Sequence, residues 1–137
     1  MKYIIYMFAL FFLSCDPYDD RLKLVNLSDE DIFVYQTIGE DEYHNNFDTL
    51  RKFYSDSLET NFSANNFVNV KDTTHLYIMG KWDGLLKRDN LRIYLFKKHN
   101  FISWIRGDVS LDTIYVRKEF SLNDLYELNW LIVYKSD

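Results

Sequence analysis

The side chains of this 137-residue chain with chemistry to offer beyond packing are one thiol, three imidazoles, three indoles and 21 carboxylates. Cys15 is the only cysteine, and it follows an apolar run from Ile4 to Leu13 and the small residue Ser14. A single thiol has no disulfide partner, and left free in an oxidising compartment it is a liability; covalent modification removes both difficulties. His44, His75 and His99 have no second His or Cys at ligand spacing, so no metal site is expected from them. Glu40-Asp41-Glu42 could gather a cation, but it lacks the alternating oxygens and central Gly of a calcium loop and reads as a solvated charge run. There is no Gly-x-Ser-x-Gly elbow and no phosphate-cradling glycine loop. So many carboxylates always allow a pair to be drawn as acid and base, yet without a cleft or a raised pKa no pair is singled out. No catalytic residue and no cofactor is assigned. Trp82, Trp104 and Trp130 could stack on sugar rings. Trp130 lies in an apolar run and reads as core, whereas Trp82 precedes Asp83-Gly84 and could present its ring at a sheet edge. Trp82 and Trp104 are therefore the candidate ligand contacts, against the competing reading that aromatics in small β domains are buried.

The segment in front of Cys15 sets its chemistry. The apolar run is about half of the ~20 residues a helix needs to cross a bilayer. One Lys precedes it and a small residue ends it, which is the order of a secretory signal. Phe12-Leu13-Ser14-Cys15 resembles a lipobox, with cleavage after Ser14 and a diacylglyceryl thioether on Cys15; Phe12 stands where Leu is usual. Several acyl chains on one residue exceed the single chain that binds membranes only reversibly. The alternative is an ordinary cleaved signal with an incidental cysteine.

Cleavage divides the chain into a signal over 1–14, a lipidated cysteine with an acidic tether over 15–21, and one domain over 22–137. The whole chain carries a net charge of −5, and loss of Lys2 makes the mature chain more acidic. An acidic chain with no basic stripe argues against nucleic acid and against electrostatic adhesion to anionic lipid. Eleven Phe, eleven Tyr and three Trp against four Gly and one Pro favour an aromatic β core, with turns made by Asn, Asp and Ser.

Strands are expected at 21–25, 32–38, 67–70, 75–82, 91–96, 113–120 and 130–134, the first two forming a hairpin or neighbouring pair. Residues 47–60 show near-helical spacing broken by Ser and Asp, and 101–106 fit a turn of helix or a bend. Ser121-Leu122-Asn123-Asp124 has N-cap spacing for a short helix before the last strand. Six or seven strands with that helix predict a mainly β fold, a small β-sandwich, Ig-like or related.

This order resembles a group of small Bacteroidetes lipoproteins with no established activity. The matching pieces are Leu13-Ser14-Cys15, the Asn26–Val34 stretch, Leu91–Phe96 and, most strongly, Phe120–Trp130; residues 39–66 match poorly. The resemblance implies a lipid-anchored cell-envelope protein, a non-catalytic interaction or accessory module with an envelope protein or glycan as partner. The alternatives are a surface glycan-binding protein and a hydrolase with a carboxylate-based site. The acidic residues after Cys15 resemble the export signal of that phylum, which implies the outer membrane and its outer face. Asp16 directly after the cysteine also resembles an inner-membrane retention signal of enterobacteria. Thr49, Ser57, Thr73 and Thr113, each preceded by Asp, resemble O-glycosylation acceptors of that phylum, although Asp-Thr turns give the same pattern.

Overall fold

Leu91-Arg92-Ile93-Tyr94-Leu95-Phe96 is apolar on both faces, and a strand of that kind has to be covered from two sides. A computed structural model, which describes residues 18–39, 43–58 and 67–136, shows how this is done. The described residues form mainly strands in two sheets, with a few short helices. The first sheet contains β1 (Tyr18–Asn26), β4 (Thr73–Met79) and β7 (Leu131–Tyr134), ordered β4-β1-β7. In it β4 runs antiparallel to β1 and β7 parallel. The second contains β2 (Ile32–Ile38), β3 (Phe67–Val68), β5 (Leu91–Lys97) and β6 (Tyr115–Phe120), antiparallel throughout in the order β3-β2-β5-β6.

Alternation along the strands separates two cores. Leu22 and Leu24 of β1, Leu76 of β4 and Ile132 of β7 pack with Ile32, Leu91, Ile93 and Leu95 of the second sheet. That core lies between the sheets. The opposite face of the second sheet offers Phe33, Tyr94 and Phe96 to helices α1 (Tyr43–Leu58) and α3 (Lys98–Arg106), which contribute Phe47, Phe101, Trp104 and Ile105. This second core is mostly aromatic: Phe33 stacks on Phe101 at 3.9 Å between centroids, and Phe47 meets Tyr94 edge-on at 5.1 Å. The aromatic excess of the composition is spent here. The arrangement is therefore sheet on sheet with helices over one outer face, whereas a bare two-sheet reading leaves both outer faces to solvent.

The expected pairing of the first two strands is corrected. β1 and β2 lie in different sheets, because the last residue of β1 is built to redirect the chain. Asn26 is buried; its amide donates to the carbonyls of Glu30 and Val68, both at 2.9 Å, and its side-chain oxygen accepts from Ser28. Leu27 N–H meanwhile donates to Tyr134 on β7. One side chain thus fastens both sheets at the crossover. Asn26→Ala leaves several buried groups unpaired and is expected to cost about 2–3 kcal/mol, read as a lowered denaturant midpoint.

Two short helices close one end of the inter-sheet core. α2 (Trp82–Leu85) inserts Trp82, and α4 (Leu122–Glu127) inserts Leu125. Ser121 and Asp124 form a reciprocal capping box at the start of α4, and the chain then ends on β7. Of the region 47–60, residues 47–58 lie in α1 and the last two fall outside the described residues; 101–106 form part of α3, which ends at Gly107 with a left-handed φ of 89°.

Candidate functional site

The expected ligand contacts, Trp82 and Trp104, are both buried. Trp82 is 0% exposed and Trp104 4% exposed, so neither ring can stack on a sugar. Trp104 stacks on Phe96 in the aromatic core, and Trp82 plugs the end of the inter-sheet core. Trp130, read as core, is only partly buried and sits at that core's rim. Glycan stacking loses the rings that were to carry it. Thr49, Thr73 and Thr113 are exposed, on α1, at the start of β4 and on a 3-10 turn (Leu111–Thr113). Ser57 lies in α1, its side chain outside the described residues, as are Ser14, Cys15 and the Glu40-Asp41-Glu42 loop.

The strongest polar constellation draws in Asp19 and Arg21 from the expected tether over 15–21. β1 begins at Tyr18, so residues 18–21 belong to the folded domain. A register shift between Asp19 and Leu22 turns Asp19 inward, where it is buried. Its carboxylate binds Arg21 through two oxygens, Nε at 2.9 Å and Nη2 at 2.8 Å, and accepts the backbone N–H of Trp82 at 3.1 Å. The Trp82 indole N–H donates to the Asp19 carbonyl at 3.1 Å. Arg21 also donates to Asp83, which accepts the Tyr126 hydroxyl as well. The guanidinium lies 4.1 Å over the Trp130 ring, and Tyr126 meets that ring edge-on. Trp130 holds a left-handed φ of 60°, rare for a bulky residue, and is retained because its N–H donates to Leu125 and its carbonyl accepts from Lys23.

Together these contacts tie the first folded residues to α2, α4 and the turn before β7. The chemistry is that of a fastening. The Arg21 guanidinium holds the Asp19 carboxyl down at about 2, with the Trp82 N–H assisting. Asp83 is likewise held low, first by the Tyr126 hydroxyl and then by Arg21, and the Tyr126 phenol is pushed up by Asp83. A general acid needs a carboxyl pushed the other way. Because the folded pKa of Asp19 lies below the usual 3.8, the unfolded chain takes up the proton first on acidification. The stabilisation is complete above about pH 4 and is lost as pH falls toward 2, a change of about 2 kcal/mol. Asp19→Asn is expected to flatten that part of an acid titration of unfolding free energy.

His75 and His99 stand apart, and the His44 side chain lies outside the described residues. His75 Nδ1 lies 2.9 Å from the Asp20 carbonyl, and His99 Nδ1 lies 2.7 Å from a Glu30 oxygen. Among the described residues no three His, Cys, Asp or Glu side chains converge as metal ligands. A groove of about 470 Å³ between β6 and β7 is lined by Phe120, Leu128, Leu131 and Val133 beside Lys118 and Glu119. It is apolar, and its two charged groups do not form a catalytic pair. Among the described residues no helix is long and apolar enough to cross a membrane.

Comparison with protein-family models, with curated proteins and with solved structures gives no match for this chain.

Proposed function

We propose that this chain is a cell-envelope lipoprotein, held in the membrane by acylated Cys15 and working there as a non-catalytic accessory or interaction domain. The observation that carries the proposal is the spacing at the N-terminus. A short apolar run, a small residue and the only cysteine stand three residues ahead of a strand whose first turn is clamped to the domain body. A lipid anchor needs a firm attachment point, and the Asp19–Arg21 network supplies it. The likeness to small Bacteroidetes lipoproteins supports the same reading and favours the outer membrane. We further read the facing sheets as a β-sandwich, kin to Ig-like folds through strand number alone. The burial of Trp82 and Trp104 favours a protein or lipid partner over a glycan. Phase separation in a cloud-point detergent tests the proposal. Protein expressed with its full N-terminus is expected in the detergent phase; recovery in the aqueous phase would refute it.

A further inference from the structure

A lipid on Cys15 brings the membrane against the domain itself. We infer that the end of the domain bearing Tyr18, Met79, Leu85 and Tyr126 seats on the headgroup layer of the bilayer, with the sheets standing on that end. The inference rests on the Cys15 anchor proposed above.

Reach is the first ground. Two residues, Asp16 and Pro17, separate Cys15 from Tyr18, and the three Cα steps span at most about 10 Å when fully extended. Each headgroup layer is about 5–8 Å thick, so a thioether at its base leaves Tyr18 inside the layer or just above it. The second ground is rigidity. Tyr18 is already paired with Met79, and the next residue, Asp19, is bound to Arg21 and Trp82. No free joint remains behind the tether, so the domain's orientation follows that of its first strand.

The third ground is what this end displays. Met79 is 74% exposed, Tyr18 and Tyr126 50% each, and Leu85 43%. All four cluster around the network: Met79 opposite Tyr18, Leu85 in the helix that carries Asp83, and Tyr126 bonded to Asp83. Tyrosines with a ring in apolar surroundings and a polar tip are the residues of bilayer interfaces. Exposed Lys81, Lys87 and Arg88 follow Met79 and Leu85 closely in sequence and suit lipid phosphates, although exposed Asp20 and Glu127 are as near in sequence to Tyr18 and Tyr126. Asp19 and Asp83 do not meet the lipid as bare charges, because both are ion-paired to Arg21, which leaves the trio with one net negative charge. Without a wider basic patch the contact is apolar and aromatic, and it should depend little on salt. The opposite end differs. Val25, paired with Thr73, lies seven residues farther along β1, about 23 Å away, and it neighbours Asp72 and the Asp29-Glu30-Asp31 loop.

The test uses the full acylated chain, in which Cys15 is blocked and an introduced cysteine is the only reactive thiol. Met79→Cys and Thr73→Cys are each coupled to an environment-sensitive fluorophore and bound to phosphatidylethanolamine–phosphatidylglycerol vesicles holding a headgroup-level quenching lipid. Leu85→Cys is a second reporter for the seated end. The expected result is a blue shift and loss of emission to the quencher at positions 79 and 85, with position 73 unchanged. Vesicle-bound protein whose labels at 79 and 85 stay water-exposed would overturn the inference while leaving the anchor standing. Quenching at 73 equal to that at 79 would overturn it too. Shielding of 79 only when envelope proteins are added, and not by lipid alone, would assign the surface to a protein partner instead. Protein that fails to bind vesicles and carries no acyl mass would remove anchor and inference together.

Discussion

Replacing Cys15 by Ala is expected to abolish incorporation of labelled fatty acid and to move the protein wholly from the membrane to the soluble fraction. The effect is large because attachment resides in one atom: without the thiol no thioether forms, and nothing else described in the chain substitutes for it. The net charge is −5, so adhesion to anionic lipid offers no second route. An acyl anchor on Cys15 would be strong, since each buried CH₂ contributes about 0.8 kcal/mol and two or more chains pass from reversible to stable binding. The contacts of the seated end are too few to hold the domain without it. Thermal unfolding of the released variant should match that of the parent, because β1 begins at Tyr18 and is fixed by Asp19 and Arg21. Label retained on the Ala variant would place the modification elsewhere.

Trp82→Ala is expected to be the most damaging single change in the domain, about 3–5 kcal/mol, in the range of large-to-small core substitutions. The ring is fully buried, and its loss opens a cavity where α2 closes the inter-sheet core. It also leaves the Asp19 carbonyl without its donor and loosens the helix whose first N–H the Asp19 carboxylate accepts. Against a typical domain stability of about 5–15 kcal/mol this is a large share, and the melting temperature should fall by roughly 10–20 °C. Trp82→Phe keeps most of the packing and forfeits the indole donor, so about 1–2 kcal/mol is expected. Calorimetry of the three proteins checks the order. Equal losses for Phe and Ala would show that the hydrogen bond, and not the packing, carries the site.

The mainly β composition was legible because it depends on local residue choice. Leu91–Phe96 announces a buried strand by itself, and Ser121-x-x-Asp124 announces a cap, which is a capping box in the fold. Relations between distant segments were not legible. Nothing local distinguishes a hairpin between β1 and β2 from a crossing between sheets; the difference lies in Asn26 reaching Val68, 42 residues away. Trp82 looked like the exposed end of a strand because Asp83-Gly84 follows it, yet the short helix it opens folds back into the core. Asp19 and Arg21 passed as tether for a related reason. Acidic residues behind a cysteine look solvated until a register shift turns one inward to a cation two residues away. The Asp-x-Arg spacing was the available signal, and it gains meaning only once the strand is known to begin at Tyr18.

The central claim is that Cys15 becomes the acylated first residue of the mature chain. The mass of the N-terminal peptide, taken from protein extracted from membranes, tests it most directly. The account predicts a peptide beginning at Cys15 and heavier than its sequence by at least a diacylglyceryl group. A peptide beginning at any other residue, or one beginning at Cys15 with an unmodified thiol, would contradict it.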